Sequence, residues 1–408
     1  MSAPGAQTGS GQTLGQSARI IGLVALAHGL SHFFQIATAV VFPLIKDDLQ
    51  VSYALLGATV ALYYTVSGVF QTLAGFAADR FGARRVLFAG LALSTAGAVL
   101  AGSAHSYAML LAAAVVGGIG NSVFHPCDFS ILNARVDKAR LGYAFSWHGI
   151  AGYLGYAVAP VYSVGMASAF GWRGALLGAA AVGAVVVLFL FLNRAWIDVE
   201  PADRRRETGH GGLATDLKLL ASAPVLMCFG YFVLIAVGFV AMQNFGMATM
   251  GMLYGASPGL ASTALTAYLL GGAAGIFAGG FVAVRATRHD LVAVTGMAAS
   301  AGFMFVLASA WVPAAMLPVF LAASGFASGI TNPSRDFIVR GATPAGATGK
   351  VYGFVYSGLD VGSMLTPVFF GWLLDRGQAD AVFYTVVVAL VLTIGMVLNL
   401  PGRKRALA

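Results

Sequence analysis

Two short patterns of ionisable residues sit where lipid-facing sequence would be expected. His28, His32 and Gln35 follow one another at i, i+4 and i+7, so a helix would place all three on one face. Asn121, His125 and Asp128 repeat nearly the same spacing. Both triplets lie inside long apolar runs. Ionisable groups are costly at membrane depth and by default mark a functional path. Imidazole titrates near neutrality, and burial can bring a carboxylate there, so histidine beside aspartate is the chemistry of a proton relay. His28, His125 and Asp128 are therefore the candidate proton-coupling groups. Further polar residues at similar depth are candidate substrate contacts: His32, Gln35, Asn121, His148, Gln243, Asn244, Asn332, Arg335, Asp336 and Asp360. Each has a structural reading too. A membrane histidine can simply bond a neighbouring helix, and Asp128 and Arg335 could pair with each other. Cys127 and Cys228 fall in apolar runs as buried thiols rather than a disulfide framework.

The elements that must position these residues follow from composition. The 408 residues are 59% hydrophobic and only 9% charged, where a soluble protein carries about 25% charged residues. This is an all-α integral membrane protein, since alternating strands of a barrel are absent. Apolar runs of spanning length cover 19–44, 53–78, 86–104, 107–133, 142–168, 174–193, 223–249, 259–283, 291–310, 314–338, 350–374 and 380–400. The expected organisation is a disordered N-terminus (1–17), a six-helix bundle (18–193), a polar linker (194–222), a second six-helix bundle (223–400) and a tail (401–408). Shifting 117–160 by 207 positions lays His125-Pro126 on Asn332-Pro333, Asp128 on Arg335, Gly155 on Gly362 and Pro160 on Pro367. The second half repeats the first in the same order, as in many transporters. With both termini placed in the cytoplasm, 20 of the 23 Lys and Arg residues fall on that side, and only Lys46, Arg173 and Arg376 on the other. The positive-inside rule predicts that orientation. It also accounts for the net charge of +8 without nucleic acid.

Between the second and third runs the chain reads Gly75-Phe-Ala-Ala-Asp79-Arg80-Phe81-Gly82-Ala83-Arg84-Arg85. This resembles the Gly-x-x-x-Asp-Arg-x-Gly-x-Arg-Arg signature of the major facilitator superfamily. The resemblance implies twelve helices in two pseudo-symmetric halves, with runs 1, 4, 7 and 10 lining a central cavity. Asp79, Arg80, Arg84 and Arg85 are then gating candidates: the turn needs glycine, and the carboxylate can cap a helix and pair with arginines. Within the superfamily, Ser122-Val-Phe-His125-Pro126 and the first run, ending in Phe42-Pro43-Leu44, resemble the fosmidomycin-resistance group of exporters. That group usually has glutamate after His-Pro, where Cys127 and Asp128 follow here. Gly149, Gly152, Gly155 and Pro160 resemble an exchanger motif only loosely, and tight helix packing is the simpler reading.

The expected function is a proton-coupled secondary transporter of a small organic solute, anionic if Arg335 meets it, working by alternating access and exporting if it follows that group. The expected setting is a bacterial inner membrane, with the chain multi-pass and monomeric. The proton is the coupling ion and no cofactor is expected. Two alternatives keep the fold: symport import of a small organic acid, and uptake of a transition metal or chelate through His28, His32, Met242 and Met247, soft or borderline ligands. No nucleophile with a paired base and no phosphate loop appears, so an enzyme is not expected.

Overall fold

The structure is a computed structural model and describes residues 12–199, 218–343 and 348–399. Its elements are α1 (Leu14–Val40), α2 (Phe42–Leu49), α3 (Tyr53–Phe81), α4 (Ala83–Gly102), α5 (Tyr107–Asn121), α6 (Phe124–Arg135) and α7 (Leu141–Leu192). Then follow α8 (Ala223–Val240), a π-turn (Ala241–Phe245), α9 (Gly246–Tyr254), α10 (Pro258–Arg285), α11 (His289–Ala308), α12 (Leu317–Gly329), α13 (Asn332–Gly341), α14 (Thr348–Leu365), α15 (Pro367–Asp375) and α16 (Ala379–Leu398). No strand occurs among the described residues.

Among the described residues, eleven helical segments are long and apolar enough to cross a bilayer. One of them, α7, has 52 residues, roughly 78 Å at 1.5 Å per residue, against a hydrocarbon core of about 30 Å. It breaks at Gly171, whose φ of 69° lies in the left-handed region. That break makes two crossings of one segment and restores the expected twelve. Just past it, Arg173 is pinned on three sides. It pairs with Asp48 at 2.8 Å, donates from Nε to the Ala104 carbonyl at 3.0 Å and lies over Trp172.

Prolines shape the repeated segment. Pro126 has no N–H to offer and crowds the carbonyl four residues back, so α5 ends at Asn121 and α6 restarts at Phe124. Pro333 does the same between α12 and α13, at the matching repeat position. Pro367 opens α15, whereas its counterpart Pro160 stays inside α7.

Two differences from the sequence expectation concern boundaries. The first helix starts at Leu14, capped by Thr13 and Gln16 in reciprocal hydrogen bonds, so residues 14–17 are helical rather than disordered. Gln12 secures this end further: it donates to the Arg135 carbonyl and accepts from the Asp137 N–H. Residues 1–11, most of the linker (200–217) and the tail lie outside the described residues. The compact units also divide differently: Ser52–Ala61 belong with the second unit and Leu62–Arg205 with the first. The cause is visible at Asp375. Its carboxylate accepts the N–H groups of Tyr53 at 2.7 Å and Ala54 at 2.8 Å, capping α3. The next residue, Arg376, lies over Trp372.

Candidate functional site

In the first unit, α1, α6 and α7 bring four imidazoles and one carboxylate together. Close backbone approach makes this possible. A Cβ on Gly155 would run into the Gly29 carbonyl, and one on Gly152 would sit 2.9 Å from His32 and 3.1 Å from His28 Nε2. Gly152 and Gly155 are thus packing residues, and the space left at Gly152 is filled by imidazole.

Asp128 is fully buried at the centre. Its Oδ2 lies 3.1 Å from His148 Nε2, in hydrogen-bonding geometry. The same oxygen lies 3.3 Å from His28 Nδ1, close enough for charge attraction but not aligned as a hydrogen bond. Asp128 Oδ1 and His28 Nδ1 are buried with no hydrogen-bond partner. The His28 and His148 rings stack at 3.6 Å. His125, exposed on its outer side, tilts against His28 at 5.2 Å and stacks on Phe129 at 6.1 Å. His32 leans on His28 and Tyr156. The donor nitrogens of His28, His125 and His148 all lie within 4.8 Å of one another. His148, read from sequence as a substrate contact, is a core member of this group.

A second network joins α1 and α7 to α3 and α5. Gln35 accepts from the Tyr156 hydroxyl at 2.6 Å and the Tyr64 hydroxyl at 3.4 Å, and donates to Asn121 Oδ1 at 3.0 Å. Asn121 in turn donates to Ser67 at 2.9 Å. Tyr156 and Ser67 were not singled out from sequence. Hydroxyls on unremarkable apolar helices carry no local signal, and only tertiary contact reveals them.

In the second unit, Arg335 donates to Asp336 at 3.1 Å and to Asn332 at 3.4 Å. Its guanidinium lies 4.6 Å from the centre of the Phe232 ring. Tyr356 donates to the same Asp336 oxygen at 2.9 Å, and the Tyr352 hydroxyl donates to the Asp336 carbonyl. Asp128 and Arg335, suggested from sequence as a pair, each take partners within their own unit. Gln243 and Asn244 fall in the π-turn, a helix irregularity frequent at functional positions. Both are buried. Neither end of the Gln243 amide is hydrogen-bonded, whereas Asn244 donates to the Val240 carbonyl. Met242, Met247 and Met250 are core residues of this unit, while His28 and His32 belong to the first. Asp360 is exposed and makes no hydrogen bond or ion pair among the described residues.

Of the gating candidates, Arg84 pairs with Asp198 at 2.8 Å, a partner at the start of the linker, and Arg135 donates to the Asp198 carbonyl. Arg80 lies over Phe81 and Arg85 is exposed. The side chain of Asp79 lies outside the described residues. Gly82 takes a φ of 90°, as a glycine turn requires.

The Major Facilitator Superfamily model matches residues 24–255 and 227–407. A Fosmidomycin resistance protein of Escherichia coli is 26% identical over 152 residues, 37% of each chain. A protein of Cupriavidus necator described as "Probable sulfoacetate transporter" is 26% identical over 176 residues, 43% of this chain and 41% of that one. The chain thus spans under half the length of these curated relatives. A bacterial homolog of the human lysosomal transporter Spinster, crystallised in an inward-facing and occupied conformation, shares the fold. Its TM-score is 0.76, with 14% identity, covering 95% of this chain and 97% of that one.

Proposed function

The chain belongs to the major facilitator superfamily, whose members here are transporters rather than enzymes, and we propose that it is a proton-coupled secondary transporter of a small anionic organic solute. The observation that carries the reading is the buried group of His28, Asp128 and His148. A carboxylate flanked by two imidazoles, inside helices that cross a bilayer, can hold one proton and pass it between neighbours over about 3 Å. His125, exposed on one side, is the entry and exit step.

The anionic class rests on Arg335. Its guanidinium is mostly enclosed, with 12% of its side chain exposed, and it already holds one carboxylate, that of Asp336. A solute carboxylate, sulfonate or phosphonate would present the same acceptor atoms. Asn332, Gln243 and Asn244 are the further contacts proposed in that unit, and His32, Gln35, Asn121 and Asp360 complete the proposed set. Sulfoacetate, named for one relative, belongs to the same chemical class. A resistance protein among the relatives supports outward movement of solute, here in exchange for inward protons. The positive-inside distribution supports a bacterial inner membrane with both termini in the cytoplasm, and the reading takes the monomer as the working unit.

The test uses proteoliposomes with a pH-sensitive dye inside and pools of phosphonates, sulfonates and small carboxylates outside. One pool is expected to move the internal pH only when protein is present. Asp128→Asn should abolish that movement while leaving solute exchange between loaded vesicles. Wild-type proton flux in Asp128→Asn would refute the role assigned to the cluster.

A further inference from the structure

The same corner of the first unit has the donor set of a metal centre. We infer that His28, His125 and His148, with Asp128, bind one divalent transition-metal ion of the zinc class.

Three imidazole nitrogens and a carboxylate oxygen are the usual ligands of four-coordinate zinc, and imidazole also suits nickel, cobalt and copper. Bonds of about 2.0–2.1 Å in a tetrahedron separate donor atoms by about 3.3 Å. Asp128 Oδ2 already stands 3.1 Å from His148 Nε2 and 3.3 Å from His28 Nδ1. The imidazole nitrogens lie within 4.8 Å of one another, so the widest gap must close by about 1.5 Å. The His125 ring, exposed and held among the described residues by ring contacts with its neighbours, can supply that by rotating.

A second observation points to a ligand independently of the spacing. Asp128 Oδ1 and His28 Nδ1 are buried without a hydrogen-bond partner. Such groups are costly to bury unsatisfied; an ion on His28 Nδ1 removes the need there, and one held by both carboxylate oxygens removes it at Asp128 Oδ1. The donor set differs from the metal reading of the sequence alone: His125, His148 and Asp128 enter it, and His32 and the methionines, the latter in the other unit, do not.

A metal ion and a relay proton would occupy the same lone pairs, so one excludes the other. A loaded site should therefore stop proton-linked flux. Metal binding itself needs no gradient and no solute, which separates this inference from the transport reading.

The experiment is cobalt and zinc titration of the full chain in nanodiscs, followed by cobalt visible absorption and metal content after desalting. One equivalent is expected, with the intense visible bands of a four-coordinate site. His125→Gln, at an exposed position, and His148→Gln should each weaken binding at least about 100-fold, since even the loss of an outer-shell partner costs 10–100-fold. His105→Gln and Met247→Leu should leave it unchanged. Undiminished one-to-one binding in both His125→Gln and His148→Gln, or no stoichiometric binding by the wild-type chain at micromolar metal, would overturn the inference. Metal binding with no proton flux under any solute would leave the site standing and remove the proton relay.

Discussion

Gly155→Ala against Gly165→Ala isolates what the approach of α1 to α7 contributes. Both glycines lie on α7, and alanine raises helix propensity by about 0.8–1.0 kcal/mol at either. At Gly165 nothing lies within 4 Å of an added Cβ. At Gly155 the Cβ would meet the Gly29 carbonyl, with the Gly29 carbonyl carbon at 2.8 Å and Cα at 3.1 Å. Carbon atoms prefer about 3.5–4.0 Å, so the two backbones must part by roughly 1 Å. Overpacking of this kind costs about 1–3 kcal/mol. Propensity cancels between the variants, and that cost remains as their difference. At about 2 °C per kcal/mol, Gly155→Ala should melt about 2–6 °C below Gly165→Ala. The assay follows from the two buried thiols, Cys127 and Cys228. A fluorogenic maleimide reports their exposure on heating. A Cys228→Ser background leaves Cys127, on α6 beside the cluster, as the reporter of the first unit. Equal melting of the two variants would show that α1 and α7 are not seated on each other at Gly29 and Gly155, and the imidazole group built on that contact would lose its support.

Tyr156→Phe removes the 2.6 Å hydrogen bond to Gln35 and should lower stability by about 1 kcal/mol, read as a melting shift of about 2 °C. Asp375→Ala removes the cap from Tyr53 and Ala54 and should cost about 0.5–2 kcal/mol, with faster amide exchange in the first turn of α3. Arg84→Ala breaks a partly exposed pair with Asp198 and should change stability by no more than about 1 kcal/mol, so a large transport defect with an unchanged melting temperature would identify a gating role. The hydrogen bond from Arg173 holds the Asp48 carboxyl below its usual range. The stabilisation from this pair is therefore complete above the ordinary carboxylate pKa and is lost as pH falls through the lowered one. Asp48→Asn should flatten the acid side of the melting curve, and an unchanged acid slope would refute it.

Much of the architecture was legible before any coordinates. Long apolar runs separated by arginine-bearing loops leave helices across a bilayer as the sole way to satisfy the backbone. The 207-residue shift aligned Pro126 with Pro333, where the helices break at both, and Pro160 with Pro367, where only the second opens a new helix. Less was legible in the sites. The first-run spacing put His28, His32 and Gln35 on one face, yet it could not show that Gln35 would be spent on Tyr156, Tyr64 and Asn121. Nor could it show that Arg84 would reach Asp198 on the linker.

Residue type and spacing by themselves determined the membrane class, the helix count, the repeat and which residues could carry a proton or meet an anion. These properties depend on local covalent geometry and transfer to lipid, both fixed position by position. Tertiary structure alone decided partnership. Asp128 lies between His28 and His148, residues 100 and 20 positions away in the chain, because Gly29, Gly152 and Gly155 let two helices approach closely enough to stack their imidazoles. Arg335 turned to its neighbour Asp336 because an enclosed guanidinium takes the carboxylate within reach. Contacts of this kind are set by packing in three dimensions, and helical periodicity carries no record of them.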